Sequence, residues 1–233
     1  MKKGKLFLIP CPIAESPHGM TIPAGVIERI APIRFFLAEN LRTTRRFLSS
    51  LKVYPSIEHL AIGVLDKDTP VSDLRNLMNP LHEGFDLGIL SEAGCPGVAD
   101  PGARAVQYAH EHGFQVVPLV GPSSLLLALM ASGLNGQNFS FHGYLPVDQA
   151  QLARSISKYE QESRLHQQTK IFIETPYRTN SLLKALCKSL HPGTKLCLAI
   201  DITGPEERII CRKVGDWGQQ ELPKLPAVFL FQA

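Results

Sequence analysis

Asp86-Leu87-Gly88-Ile89-Leu90-Ser91-Glu92-Ala93-Gly94-Cys95-Pro96-Gly97-Val98-Ala99-Asp100-Pro101-Gly102 decides how this chain is read. Its first five residues are almost continuously apolar, the mark of a short strand buried on both faces. Glycines and prolines follow, letting a rigid loop bring its backbone close to a ligand. Asp100-Pro101 then reads as a helix N-cap followed by proline at the first helical position. Strand, tight loop and helix in that order make one unit of a parallel α/β sheet.

The same grammar recurs outward from this stretch. Strand-like runs lie at 5–9, 34–38, 60–65 and 115–119, with helix candidates at 23–31, 43–51, 70–82 and 102–112. Thr69-Pro70 reads as a second N-cap pair. Beyond Pro118 to Pro122 the pattern changes. A helix at 123–132 ends at Gly133, a strand at 139–141 and a polar helix at 149–167 follow, and strands lie at 170–174, 196–200, 207–213 and 227–232. A helix at 180–190 separates two of these. Between 196 and 213 there is no room for a crossover helix, so that pair is expected to run antiparallel. The expected architecture is two α/β domains. Residues 1–119 hold a mostly parallel sheet and residues 120–233 a mixed one.

Composition narrows the function. The chain has 233 residues, 44% hydrophobic and 19% charged, long enough to bury a core without a disulfide or metal staple. No window approaches a membrane span. The net charge of +3 permits a polyanionic partner without requiring one. Five cysteines form no C-x-x-C pair, so neither a disulfide framework nor a zinc site is indicated. Met1-Lys2-Lys3-Gly4-Lys5 mimics the start of a signal peptide, but the apolar run behind it stops at Pro10. A reduced, cytoplasmic protein is expected. His110-Glu111-His112 lacks ligand spacing for a metal, and no P-loop, dinucleotide fingerprint or hydrolase elbow is present.

The loops at the expected carboxyl ends of the strands hold the unusual residues: 10–19, 39–46, 91–102 and 120–124. In open parallel sheets ligands bind beyond those ends. Ser123 and Ser124 open a helix, whose first N–H groups suit a carboxylate or phosphate. Four such loops on one edge point to a pocket, against the plainer reading of ordinary turn chemistry.

Four blocks together resemble the tetrapyrrole methylase superfamily. They are Leu8-Ile9-Pro10-Cys11-Pro12-Ile13, Ala38-Glu39-Asn40-Leu41-Arg42-Thr43-Thr44, the 91–102 loop, and Gly121-Pro122-Ser123-Ser124. Ser132-Gly133-Leu134, the 139–146 stretch and Ile171-Phe172-Ile173-Glu174-Thr175-Pro176-Tyr177-Arg178 continue the likeness. Within the superfamily the chain looks most like the branch of small-subunit ribosomal RNA 2′-O-ribose methyltransferases, in a short form without their C-terminal extension. The resemblance implies S-adenosylmethionine, with S-adenosylhomocysteine as product, in a cleft between two domains of a homodimer, and no metal. It implies that Pro10, Ala93, Gly94, Cys95, Val98, Ser123, Ser124, Ile173, Ile200 and Ala227 meet the cofactor. Ile173, Ile200 and Ala227 read equally well as strand core.

A hydroxyl acceptor would gain from a general base. Glu39, Glu92 and Glu174 are the candidates, each at a strand end; each could instead bond loop N–H groups. Arg42, Arg45, Arg46 and Arg178 are candidates for RNA phosphate, or for a solvated face. The chain departs from the family at Asn40 and Glu92, where Asp is usual, at Cys95, where Thr is usual, at Tyr177, where His is usual, and over 199–203. Three readings follow: a methyltransferase acting on ribosomal RNA, a methyltransferase acting on a tetrapyrrole or other small molecule, and a non-catalytic cofactor-binding regulator.

Overall fold

β1 (Lys5–Ile9) lies inside the first sheet, hydrogen-bonded on both sides by strands from much later in the chain. The computed structural model describes residues 3–14, 20–218 and 220–233. The 15–19 part of the first loop therefore lies outside the described residues. Two units are present, Met1–Ser123 and Ser124–Ala233.

The first unit carries β1, β2 (Phe35–Ala38), β3 (Ala61–Val64), β4 (Leu87–Leu90) and β5 (Gln115–Pro118), all parallel in the order β3-β2-β4-β1-β5. Every residue of β4 is buried, as its unbroken apolar run requires. Helices cover both faces. Val26 and Ile30 of α1 (Ala24–Ile30) and Phe47 and Leu48 of α2 (Leu41–Ser50) pack with Ile9, Phe36 and Leu90 on one face. On the other face, Leu74 of α3 (Val71–Leu77), Leu81 of α4 (Asn79–His82) and Ala105 and Tyr108 of α5 (Gly102–Glu111) pack with Leu6, Leu37 and Ile89. Gly88 makes room at the centre of the sheet, where a Cβ would meet the Phe36 ring at 2.8 Å.

Three local expectations are corrected. The helix expected over 70–82 is two helices, α3 and α4, broken at Met78. Pro80 is the cause, since it offers no N–H to the turn before it. Thr69 does not cap α3. Its hydroxyl donates to Asp66 and accepts the Asp66 N–H, closing a turn, and Pro70 takes the cap position. Asp100 lies one residue outside the cap position of α5, and its carboxylate binds the backbone on both sides of itself, at Gly97 and Gly102.

The second unit holds α6 (Ser124–Ser132), β6 (Phe139–Phe141), α7 (Gln149–His166), β7 (Thr169–Glu174), α8 (Thr179–Ser189), β8 (Lys195–Ile200), β9 (Arg208–Lys213) and β10 (Ala227–Gln232). The sheet order is β6-β7-β10-β8-β9. β6 and β7 are parallel and the other neighbours antiparallel, so the sheet is mixed, with β8 and β9 the expected antiparallel pair. Leu152 and Ile156 of α7 and Leu182, Leu183 and Leu186 of α8 bury one face against Phe172, Leu198 and Phe229. α6 packs across β8, β9 and β10.

Candidate active site

The carboxyl edge of the first sheet is where its loops converge. β1 and β4 are neighbours, yet β1 leads to α1 on one face and β4 to α5 on the other, which makes their boundary a topological switch point, where open parallel sheets bind ligands. The backbones of those loops are tied together. Cys11 N–H donates to Gly94 O at 2.9 Å and Gly94 N–H to Cys11 O at 3.1 Å. Gly94 takes a left-handed φ of 70°, Gly97 one of 84° and Ala99 one of 60°, so the loop turns back sharply on itself. Asp100 Oδ1 accepts from Gly97 N–H at 2.8 Å and Gly102 N–H at 2.7 Å, pinning the turn to the start of α5. Burial raises the pKa of Asp100, and those two backbone bonds oppose the rise.

The loop after β5 joins this group. Cys95 Sγ donates to Pro122 O at 3.4 Å, and Gly121 sits on the ring of Pro10. Burial, followed by the nearby Asp100 charge, raises the Cys95 thiol, so it stays protonated and serves as a small donor. Cys11 is pushed up to about 12 by burial, Asp100 and Cys95. Val98 is exposed on the rim, and so is Ala93.

Glu39 closes the ring of loops from β2. Its Oε2 accepts the Glu92 N–H at 3.3 Å, and its own N–H donates to Leu90 O at 3.3 Å. Burial raises its pKa, the bond from Glu92 lowers it, and the Asp100, Glu92 and Asp66 charges raise it further. Glu92 itself points into solvent. Asn40, in place of the family's Asp, caps α2 by accepting from Arg42 N–H at 2.9 Å and Thr43 N–H at 3.3 Å. Asn caps as well as Asp, so the departure preserves the helix start. Arg42, Arg45 and Arg46 are exposed on α2 at i, i+3 and i+4, one helix face, opposite buried Thr44, Phe47 and Leu48.

In the second unit, register brings three expected residues to one sheet edge. Ala227 pairs with Glu174 on one side and Ile200 on the other. Ile200 and Ala227 point into the core beside Phe229, while Ile173, on the opposite face, is partly exposed. Glu174 is buried, with Oε1 accepting from Thr175 N–H at 2.8 Å and Oε2 at 3.3 Å from Arg178 Nη2. Arg178 also donates to Pro146 O at 3.1 Å and Leu145 O at 3.4 Å. Its guanidinium is thus committed inward, binding β7 to the 145–146 turn. Ser124 begins α6 and Ser123 precedes it.

One feature of this edge has no motif signature of its own in the sequence. Asp201 (φ 48°) and Thr203 (φ 67°) are non-glycine residues in left-handed conformation just after β8. Asp201 O accepts Gly204 N–H at 2.7 Å and Asp201 Oδ2 accepts Glu206 N–H at 2.9 Å, which holds the strained turn. The departure from the family over 199–203 was its only signal in the sequence. Among the described residues no group of three or more His, Cys, Asp or Glu could hold a metal, and no helix is long and apolar enough to cross a membrane.

No family model matches the chain. Curated relatives do. The ribosomal RNA small subunit methyltransferase I of Neisseria meningitidis serogroup B is 29% identical over 217 residues, 91% of this chain and 69% of the relative. That of Escherichia coli O157:H7 is 28% identical over 214 residues, 92% of this chain and 71% of the relative. That of Micromonospora olivasterospora is 31% identical over 207 residues, 89% of this chain and 62% of the relative. Among solved structures, the methyltransferase CobJ superposes with a TM-score of 0.63 at 17% identity, covering 99% of this chain and 95% of that one. Uroporphyrin-III-C-methyltransferase from Thermus thermophilus gives 0.55 at 18% identity, covering 98% and 92%. By sequence similarity to the ribosomal RNA small subunit methyltransferases I, and with the fold of the tetrapyrrole methyltransferases, the chain is a methyltransferase.

Proposed function

We propose that this protein transfers the methyl group of S-adenosylmethionine to a ribose 2′-hydroxyl of small-subunit ribosomal RNA, as a homodimer in the cytoplasm. The observation that carries it is the Cys11–Gly94 backbone pairing, which fixes the loops after β1 and β4 together at the sheet edge of a chain similar to ribosomal RNA methyltransferases. The residues fit such a cofactor. A Cβ on Gly94 would have only Pro122 O within 4 Å, at 3.6 Å, so backbone lines that space. Glu39, Glu92 and Asp100 make the edge acidic, which favours a ligand with a sulfonium and an ammonium group.

When bound, the cofactor supplies an electrophilic methyl group. The chain's own work is alignment, exclusion of water and removal of one proton. The Ala93–Val98 backbone and Ser123-Ser124 hold the amino-acid and ribose parts. Pro10 lines the adenosine region, whereas Ile200 and Ala227 are committed to the core of the second unit. Glu39 accepts the hydroxyl proton at Oε1, because Oε2 is tied to Glu92 N–H. Its raised pKa makes it a better base than an ordinary carboxylate. Arg42, Arg45 and Arg46 take RNA phosphates.

A small-molecule acceptor such as a tetrapyrrole is the second reading, favoured by the inward commitment of Arg178, which leaves the phosphate surface to α2 alone. The test begins with calorimetric titration of S-adenosylmethionine and S-adenosylhomocysteine. Micromolar binding that Gly94→Val removes is the expected result; no binding of either to millimolar concentration overturns the cofactor assignment. Mass-spectrometric mapping of ribosomal RNA from a deletion strain then decides the acceptor. An unchanged ribose-methylation pattern moves the assignment to a small molecule.

A further inference from the structure

β8 and β9 place two of the five cysteines directly opposite each other. Cys197 pairs with Cys211 in the antiparallel register, between the pairs Leu196↔Arg212 and Leu198↔Ile210. Directly paired residues of neighbouring strands point to the same side of a sheet. Leu196, Leu198 and Ile210 pack into the α7–α8 core, so the two thiols share the other face, the one α6 crosses. Both cysteines are free.

The spacing suits a bond. Opposed antiparallel residues have Cα atoms about 4.5 or 5.5 Å apart, depending on which type of pair they form. Both values lie inside the ~4.4–6.8 Å range that disulfides span. The thiols already sense each other: Cys211 acts on the ionisation of Cys197, and Cys197 on that of Cys211. Their exposures are complementary. Cys197 is fully buried and Cys211 is exposed at the sheet edge.

We propose that Cys197 and Cys211 form a cross-strand dithiol that a low-molecular-weight disulfide oxidises to an intramolecular disulfide. The exposed Cys211 thiolate attacks the small disulfide, forming a mixed disulfide and releasing one small thiol. Cys197, as thiolate, then attacks the Cys211 sulfur and releases the second small thiol. Two protein thiols are oxidised, one small disulfide is reduced to two thiols, and each departing thiolate takes up the proton that a cysteine gave. Burial raises both thiols, Cys197 to about 12, so the reaction is slow at neutral pH and quickens about tenfold per pH unit below the thiol pKa values. The pair makes β9, an edge strand, a redox-addressable element.

The test treats the folded, reduced full chain with glutathione disulfide, quenches with N-ethylmaleimide, and maps peptides without reduction. The expected product joins the peptides carrying Cys197 and Cys211. Cys197→Ala should stop at a glutathione adduct on Cys211, and Cys211→Ala should leave Cys197 unmodified. Circular dichroism establishes that each variant is folded. A wild-type protein that accumulates the Cys211 adduct with Cys197 still alkylatable on unfolding overturns the proposal. So does a Cys211 that stays unreacted while the urea-unfolded chain reacts.

Discussion

Gly121 lies against the ring of Pro10 so closely that a methyl group on Gly121 would overlap it. Proline cannot swing aside as a flexible side chain would, so Gly121→Ala must push the β5 loop off the β1 loop. Overpacking of this kind costs about 1–3 kcal/mol. The Cys95–Pro122 bond stretches with it. Gly121→Ala is expected to lower the urea midpoint and to weaken S-adenosylmethionine binding by about tenfold or more in calorimetry, since ångström shifts in positioning are costly.

Asn40 accepts two N–H groups at the start of α2. Asn40→Ala should cost about 1 kcal/mol in urea unfolding. Asn40→Asp keeps both bonds and adds a negative charge at a helix N-terminus, so it should be neutral or stabilising by a few tenths of a kcal/mol. A loss of stability in Asn40→Asp equal to that in Asn40→Ala would refute the capping role.

The arginines should separate cleanly. Arg178 neutralises Glu174, whose side chain is fully buried, and Arg178→Ala should destabilise by about 3 kcal/mol because the carboxylate loses its partner. Arg42→Ala and Arg45→Ala touch no core and should leave unfolding unchanged. Each should reduce the slope of log affinity for ribosomal RNA against log salt by about 1. Urea unfolding of the three variants checks the first half, and a filter-binding salt series checks the second.

A polar network beside the second sheet sets a pH dependence. His142 Nε2 bonds Ser140 Oγ at 2.8 Å, and the ring lies 4.1 Å from Tyr159. Buried Lys170 bonds Glu162 at 2.8 Å and Gln168 at 2.6 Å. Burial lowers the His142 pKa, Lys170 and Lys158 lower it further, and Glu162 opposes them. The unfolded chain therefore binds the proton that folded His142 refuses. The stability is fully present above about pH 6.5 and is lost as pH falls below that. His142→Phe keeps the ring contacts and should flatten the unfolding free energy in that window. A profile unchanged by the substitution would exclude His142 as the titrating group.

The strands were legible because each is a short apolar run whose burial has only one explanation; β4, buried throughout, is the clearest. The helix break at Met78 was written in Pro80 but masked by the apolar spacing of Leu74, Leu77 and Leu81 around it. What joins the loops was not legible. Cys11 meets Gly94, Pro10 meets Gly121 and Glu39 meets Glu92, and all three contacts are set by strand order rather than by spacing along the chain. Arg178 read as a surface charge because nothing local shows that Glu174 and the 145–146 carbonyls surround it. The Cys197–Cys211 pairing depends on where the Asp201 turn sets the register of β9, which composition does not reveal.

The position of β1 between β4 and β5 has a consequence for how the protein is made. Leu6 aligns with Leu87 and Val116, so β1 leaves the ribosome long before its first sheet partner, β4, and longer still before its second, β5. Pairings this distant close slowly. The apolar Leu6–Ile9 segment must wait without a sheet, a window in which nascent chains are prone to aggregate. The loop edge at the end of β1 is therefore among the last parts of the first unit to exist, since the loop that follows β1 is finished only when β5 arrives.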